Sequence, residues 1–194
     1  MANSVAAMTR VAFLGPFGTF TEQALRTQPD LADLDLVAHR TVPNVLDAVT
    51  GKEADVGFVP IENSIEGMVN FTLDALAFDH DLTITREVVL DIHLCLAARP
   101  GTTLADVAEV HSIPVATAQC HRFLGERLPD ARVVPAESTA AAAAFVAGAD
   151  GPGMAAVTPR VAAERYGLDV LVDSIEDHPD NQTRFVVVTR GDIP

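Results

Sequence analysis

The chain has 194 residues, 48% hydrophobic and 21% charged, and carries a formal net charge of −14. Such a chain can bury a real core as one large domain or two small lobes, and it is too apolar to remain disordered. Its acidity repels phosphate backbones and anionic membranes, and with no Trp and one Tyr it offers little surface for stacking nucleic-acid bases.

Met1 to Thr9 is small and polar, unlike a secretory leader, and no stretch reaches the roughly 20 apolar residues of a membrane span, so the expected compartment is the cytoplasm. Val11 to Leu14 predicts a buried strand ending at Gly15-Pro16. Thr19 to Arg26 predicts a helix, with Thr19 and Glu22 at capping-box spacing. Leu34 to Ala38 reads as a second strand, and Val42 to Thr50 as a helix with Val42, Val45, Leu46 and Val49 on one face. Asp55 to Ile61 is a third strand, followed by a helix from about Met68 to Phe78. Thr83 to Ala98 reads as one long strand-like run. After Arg99-Pro100-Gly101 come a short helix near Leu104 to Ala108, a strand near Val110 and a helix from Val115 to Leu128. Arg132 to Pro135 is a strand, Thr139 to Ala147 an Ala-rich helix and Met154 to Val157 a strand. A helix from Pro159 to Tyr166 stops at Gly167, and Val170 to Ser174 and Arg184 to Thr189 are the last strands.

Strand–helix alternation of this kind predicts an α/β fold with mainly parallel sheets covered by helices, and the break near Arg99 divides it into two lobes with a cleft between them. Ligands of open α/β sheets sit beyond the carboxyl ends of strands, and four polar clusters fall near strand ends. Gly15 to Glu22 is a Gly-containing strand-to-helix loop able to present N–H groups to an anion, and it reads equally well as a tight turn. Glu62-Asn63-Ser64 follows a buried strand, which favours a site over plain capping. Ser112 and Gln119 flank a Pro-initiated helix start, where a cap plus a surface glutamine is the plainer reading. Asn181 to Phe185 puts a Thr and an Arg at a strand edge, as either an anion clamp or a solvated arginine.

Cys95 and Cys120 lie far apart in apolar segments and read as buried free thiols. No HExxH or similar pairing involves the six histidines, and no GxSxG elbow exists, so neither a metal nor a serine nucleophile is expected.

Taken in order, GPFGTFTEQA (from Gly15), VPIENSIEGMV (Val59 to Val69), HSIPVATAQC (His111 to Cys120), ESTA (Glu137 to Ala140), YGL (Tyr166 to Leu168) and TRF (Thr183 to Phe185) resemble the prephenate dehydratase family from Val11 to about Thr189. Thr21 stands where the family usually has Ser, and the interior of the His111 segment is changed. The resemblance implies one catalytic domain over 1–194 with a type II periplasmic-binding-protein-like fold. Lobe 1 would span about 9–90 plus part of 179–194, and lobe 2 about 91–178. It further implies conversion of prephenate to phenylpyruvate in L-phenylalanine biosynthesis without a cofactor or metal. Thr183, Glu62, Asn63 and Gln119 would be catalytic, and Ser64, Ser112, Arg184, Phe185, Thr19, Ser138 and Thr139 would bind the dicarboxylate substrate. Most members continue into a regulatory ACT domain, which this sequence does not reach, and most are dimers or tetramers. Arogenate dehydratase, a prephenate decarboxylase-like enzyme and a non-enzymatic solute-binding module are the alternatives on this scaffold.

Overall fold

The computed structural model describes residues 9–151 and 153–191, so most of the polar N-terminal stretch lies outside it. The chain runs β1 (Arg10–Leu14), α1 (Phe20–Arg26), β2 (Asp35–His39), α2 (Val42–Thr50), β3 (Val56–Asn63), β4 (Gly67–Met68) and α3 (Asn70–Asp74), which continues into a π-helical turn at Ala75–Asp79. It then runs β5 (Thr83–Asp91), β6 (Cys95–Ala98), a 3-10 turn (Leu104–Asp106), β7 (Glu109–Ser112), α4 (Pro114–Gln119), α5 (His121–Arg127) and β8 (Arg132–Pro135). The last elements are α6 (Thr139–Gly148), β9 (Met154–Thr158), α7 (Arg160–Tyr166), β10 (Asp169–Val172) and β11 (Gln182–Thr189).

Two compact units result. The first takes residues up to 15, 21–90 and from 182 onward, and the second takes 16–20 and 91–181. The first sheet has the order β2-β1-β3-β11-β5, with β4 paired to β3, and the second has the order β10-β6-β9-β7-β8. The parallel ladders expected from the alternation join β1 to β2 and β3, and β7 to β8 and β9. Each sheet also takes antiparallel strands: β3 pairs with β4 and β11, and β6 pairs with β9 and β10.

Apolar spacing explains the packing. Val42, Val45, Leu46 and Val49 recur at helical intervals along α2 and bury against Ala12, Val59, Val186 and Val188 of the first sheet. Each fully buried Leu or Val there contributes about 1.5–3 kcal/mol. Thr41 caps this helix by accepting a bond from the Asn44 N–H at 3.2 Å. In the second unit, Leu94, Leu96, Val110, Leu124 and Val157 form one core face, and Ala140, Ala143, Val146, Ala162 and Ala163 form the other with Cys95 and Ala97. The alanines of α6 and α7 keep those helices close enough to admit the loop before α1. At Gly18, with φ +88°, a Cβ would stand 3.3 Å from the Ala162 Cβ.

Two predicted elements are divided. The run Thr83 to Ala98 becomes β5 and β6, in different sheets, because Ile92 to Leu94 bonds elsewhere. The Ile92 N–H donates to the Asn181 carbonyl and the Leu94 N–H to the Glu176 carboxylate. The helix Val115 to Leu128 is interrupted at Cys120, where the Asp177 N–H donates to the Gln119 carbonyl and the Asp177 carboxylate receives the Arg122 N–H. Apolar periodicity records neither break, because both are imposed by segments distant in sequence.

Gly57 in β3 lies directly under α2, where a Cβ would fall 2.7 Å from Val188 Cγ2 and 3.0 Å from Val49 Cγ2. Both valines are stiff at χ1. Gly57→Ala should therefore cost about 1–3 kcal/mol, read as a lowered urea midpoint, and an unchanged midpoint would show that Val188 and Val49 repack around the added methyl.

Candidate active site

In the first unit the polar groups gather where β3 ends and β11 begins. β11 runs antiparallel to β3, so its first residues lie at the carboxyl end of its neighbour, and Thr183 stands opposite Asn63. The register then shifts. Arg184 pairs with Glu62, but Phe185 pairs with Pro60, which leaves Ile61 as one extra residue in β3. Val59 and Ile61 pack on the side of the sheet that carries Val186 and Val188. Strict alternation would send Asn63 to that side as well, and the bulge instead delivers it to the side of Thr183.

Asn63 is held at both ends of its amide. Its Oδ1 accepts the Ile65 and Glu66 N–H groups, each at 2.9 Å. Its Nδ2 donates to Thr183 Oγ1 at 2.9 Å and to the Gln182 carbonyl at 3.2 Å. Ser64 completes the corner: its N–H donates to the Gln182 carbonyl and its Oγ accepts the Gln182 N–H, both at 2.9 Å. Thr183 Oγ1 is thus an acceptor from Asn63, and it donates to no acceptor among the described residues. Its own proton remains free for a ligand.

The neighbouring residues separate from this pair. Arg184 alternates to the other face of the sheet, where its guanidinium stands 3.4 Å from Glu62 and 3.5 Å from Glu87 of β5. Glu62, expected beside Thr183, is instead the partner of Arg184. Phe185, expected to shape a ligand surface, is a core residue: it is buried and stacks on Phe58 with centroids 5.4 Å apart. The sequence could not indicate Glu87, because nothing in it shows that β5 neighbours β11.

In the second unit, Gln119 sits at the end of α4 and accepts a bond at Oε1 from Asn181 Nδ2 at 3.2 Å. Ser112 is fully buried at the end of β7 and is not a helix cap; its hydroxyl donates to the Val157 carbonyl at 2.6 Å. Ser138 is the N-cap of α6, accepting the Ala141 N–H at 2.9 Å. Thr139 is buried in the first turn of that helix, and its carbonyl accepts the Thr158 hydroxyl at 3.0 Å. Thr19 donates its hydroxyl to the Pro16 carbonyl at 3.0 Å, which closes the loop containing Gly18. In this unit Gln119 is thus held through its amide oxygen, Ser112 ties β7 to β9, Ser138 caps α6, Thr139 is held through its main-chain carbonyl, and Thr19 closes the neighbouring loop.

Both cysteines are buried and free, and burial pushes the Cys95 thiol up to about 12 and Cys120 higher still, so neither is a nucleophile at neutral pH. Among the described residues, no cluster of His, Cys, Asp and Glu could hold a metal ion. Among the same residues, no helix is long and apolar enough to cross a membrane.

The sequence model of the family "Prephenate dehydratase" matches residues 11–193. A curated prephenate dehydratase of Mycolicibacterium gilvum is 47% identical over 191 residues, covering 93% of this chain and 61% of the relative. The crystal structure of a prephenate dehydratase from Arthrobacter aurescens in complex with L-Phe is 44% identical, with a TM-score of 0.88 over 95% of this chain and 61% of that one. GqqA, described as a novel type of quorum quenching acylase, is 30% identical with a TM-score of 0.83, over 95% of this chain and 65% of that one. The chain spans about three fifths of the length of the curated relatives it matches.

The two ends of the Asn63 amide do separable work. Asn63→Ala removes the acceptor of two backbone N–H groups and should cost about 1–3 kcal/mol in chemical denaturation. Asn63→Asp keeps that acceptor and should cost clearly less. Equal losses would show that the turn does not depend on Oδ1.

Proposed function

Because the chain belongs to the prephenate dehydratase family, we propose that it converts prephenate to phenylpyruvate, CO2 and water, in the cytoplasm and as a homodimer or homotetramer. The reaction needs no strong base. Breaking the bond to the ring carboxylate releases CO2 and leaves its electron pair in the ring. That pair aromatises the ring as the C–O bond to the ring hydroxyl breaks. The departing oxygen carries off the bonding electrons as hydroxide and must gain a proton to leave as water. What the protein has to supply is hydrogen-bond donors at that oxygen.

The observation that supports this reading is the Asn63–Thr183 pair. Since Thr183 Oγ1 accepts from Asn63, its hydroxyl proton is directed to whatever lies beyond. A threonine hydroxyl is a weak acid by its own pKa, so Thr183 acts as donor to the leaving oxygen, with Asn63 polarising it as charge develops. Glu62 is the poorer candidate for proton donor: its carboxylate is beside Arg184 on the opposite face of the sheet. Arg184, flanked by two carboxylates, fits an ion-paired brace better than a free carboxylate clamp. Within the second unit, the ten-residue helix α6 offers an anion position, since its first turn adds N–H groups and the positive end of the helix dipole. Within that same unit, Gln119 presents a neutral donor of its own.

The test is phenylpyruvate formation by the purified chain at neutral pH, with prephenate and arogenate supplied separately. Thr183→Ala should lower kcat roughly 10²–10³-fold with little change in KM, the loss expected of one donor aimed at developing charge. A tenfold loss or less would remove Thr183 from this role. Loss of prephenate to a non-aromatic product would instead place the chain with the decarboxylases, and binding without turnover would make it a solute-binding module.

A further inference from the structure

We infer that Asn181 is a positioning residue for Gln119, fixing which end of the glutamine amide is presented to the substrate. Asn181 is 1% exposed and lies in the segment that leads from β10 into β11. Its main chain is anchored twice, by the Asn181 N–H to the His178 carbonyl and by its own carbonyl to the Ile92 N–H. Those bonds hold whatever side chain is present. The side chain does something else: Nδ2 donates to Gln119 Oε1 at 3.2 Å. The same segment grips the Gln119 main chain, where the Asp177 N–H donates to its carbonyl at 2.6 Å.

The consequence is directional. An amide whose oxygen is engaged must turn its NH2 group the other way, and Gln119 Nε2 has no partner among the described residues. Asn63 does the same to Thr183, engaging the oxygen and leaving the proton outward. Two asparagines, 63 and 181, therefore stand behind two presented donors, and both convert a group that could donate or accept into a donor. Donors are what a leaving hydroxide or a substrate carboxylate requires. An amide free to flip would present its oxygen, which repels an anion, for part of the time.

This inference rests on the functional reading above, and the experiment separates the two. The steady-state constants of Asn181→Ala, Gln119→Ala and the double variant are measured together with their melting temperatures. Asn181→Ala should lower kcat about tenfold or more while the double variant falls no further than Gln119→Ala, because a residue acting only through Gln119 has nothing left to do in its absence. Additive losses would overturn the assignment. Asn181→Asp provides the second variant should the alanine fail to fold. An ionised carboxylate only accepts, so it draws Nε2 inward and leaves Oε1 presented. A protonated one donates and restores the native direction. The aspartate variant should thus be impaired at neutral pH and recover relative to wild type as pH falls, with uncatalysed aromatisation in acid subtracted. A pH profile parallel to wild type would overturn the proposal. Absence of turnover in the wild type would sink the dehydratase reading alone. The side-chain amide resonance of Gln119 would then decide the positioning role, and its failure to shift on Asn181→Asp would refute it.

Discussion

Most of what gives this chain a site traces to the way β11 enters the first sheet. A strand that arrived parallel to β3 would bring its carboxyl end, Val188 and Thr189, to the end of β3 where Glu62 and Asn63 stand. Entering antiparallel, it brings its start instead, so Thr183 meets Asn63 across the ladder. The single extra residue at Ile61 then decides the face on which they meet. Remove that residue from the register and Asn63 points toward the core side occupied by Val59 and Val186, and the hydroxyl of Thr183 loses the donor that orients it. The hydrophobic core resists such a slip, because Phe58 stacked on Phe185 and Val188 packed over Gly57 hold the register below the bulge.

The chemistry proposed for this arrangement suits neutral donors better than charged ones. A general acid strong enough to protonate the leaving oxygen would also have to keep its proton at neutral pH, where an ordinary carboxyl group is ionised. Hydroxyl and amide groups avoid that difficulty, since they donate at any pH in the working range and their orientation is set by geometry rather than by titration. Their weakness as acids is offset by preorganisation: a donor already aimed needs no rearrangement as the C–O bond lengthens. In the first unit the Asn63 amide, held in a hairpin corner, orients the Thr183 hydroxyl; in the second, the Asn181 amide engages Gln119 from the segment before β11.

The elements with strong local signals were legible. α2 falls on Val42 to Thr50 as its apolar spacing predicts, β8 on Arg132 to Pro135, and α7 stops at Gly167. What the sequence could not reveal depends on distant partners. Nothing in Thr83 to Ala98 shows that Ile92 and Leu94 bond to Asn181 and Glu176, or in Val115 to Leu128 that Asp177 interrupts the helix. The polar clusters stand out because they lie at strand ends, a positional rule, but the rule does not separate a presented group from a bracing one. Ser112 and Ser138 look alike in sequence. One proves to be a buried tie between β7 and β9, and the other a helix cap.

The triplet Thr183-Arg184-Phe185 shows why a motif that marks a site need not line it. In a strand, consecutive residues face opposite ways, so three adjacent residues cannot all reach one ligand. Here each takes a different task. Thr183 is presented, Arg184 turns to the other face and bridges β3 to β5 through Glu62 and Glu87, and Phe185 sinks into the core against Phe58. These tasks are linked through the backbone. The ladder to β3 and the Phe58–Phe185 stack hold β11 in register and so carry the hydroxyl to its place, while the half-exposed Arg184 pairs add little. A substitution at Phe185 would therefore reach Thr183 through the backbone of β11, because it disturbs the stack on Phe58 that holds the strand.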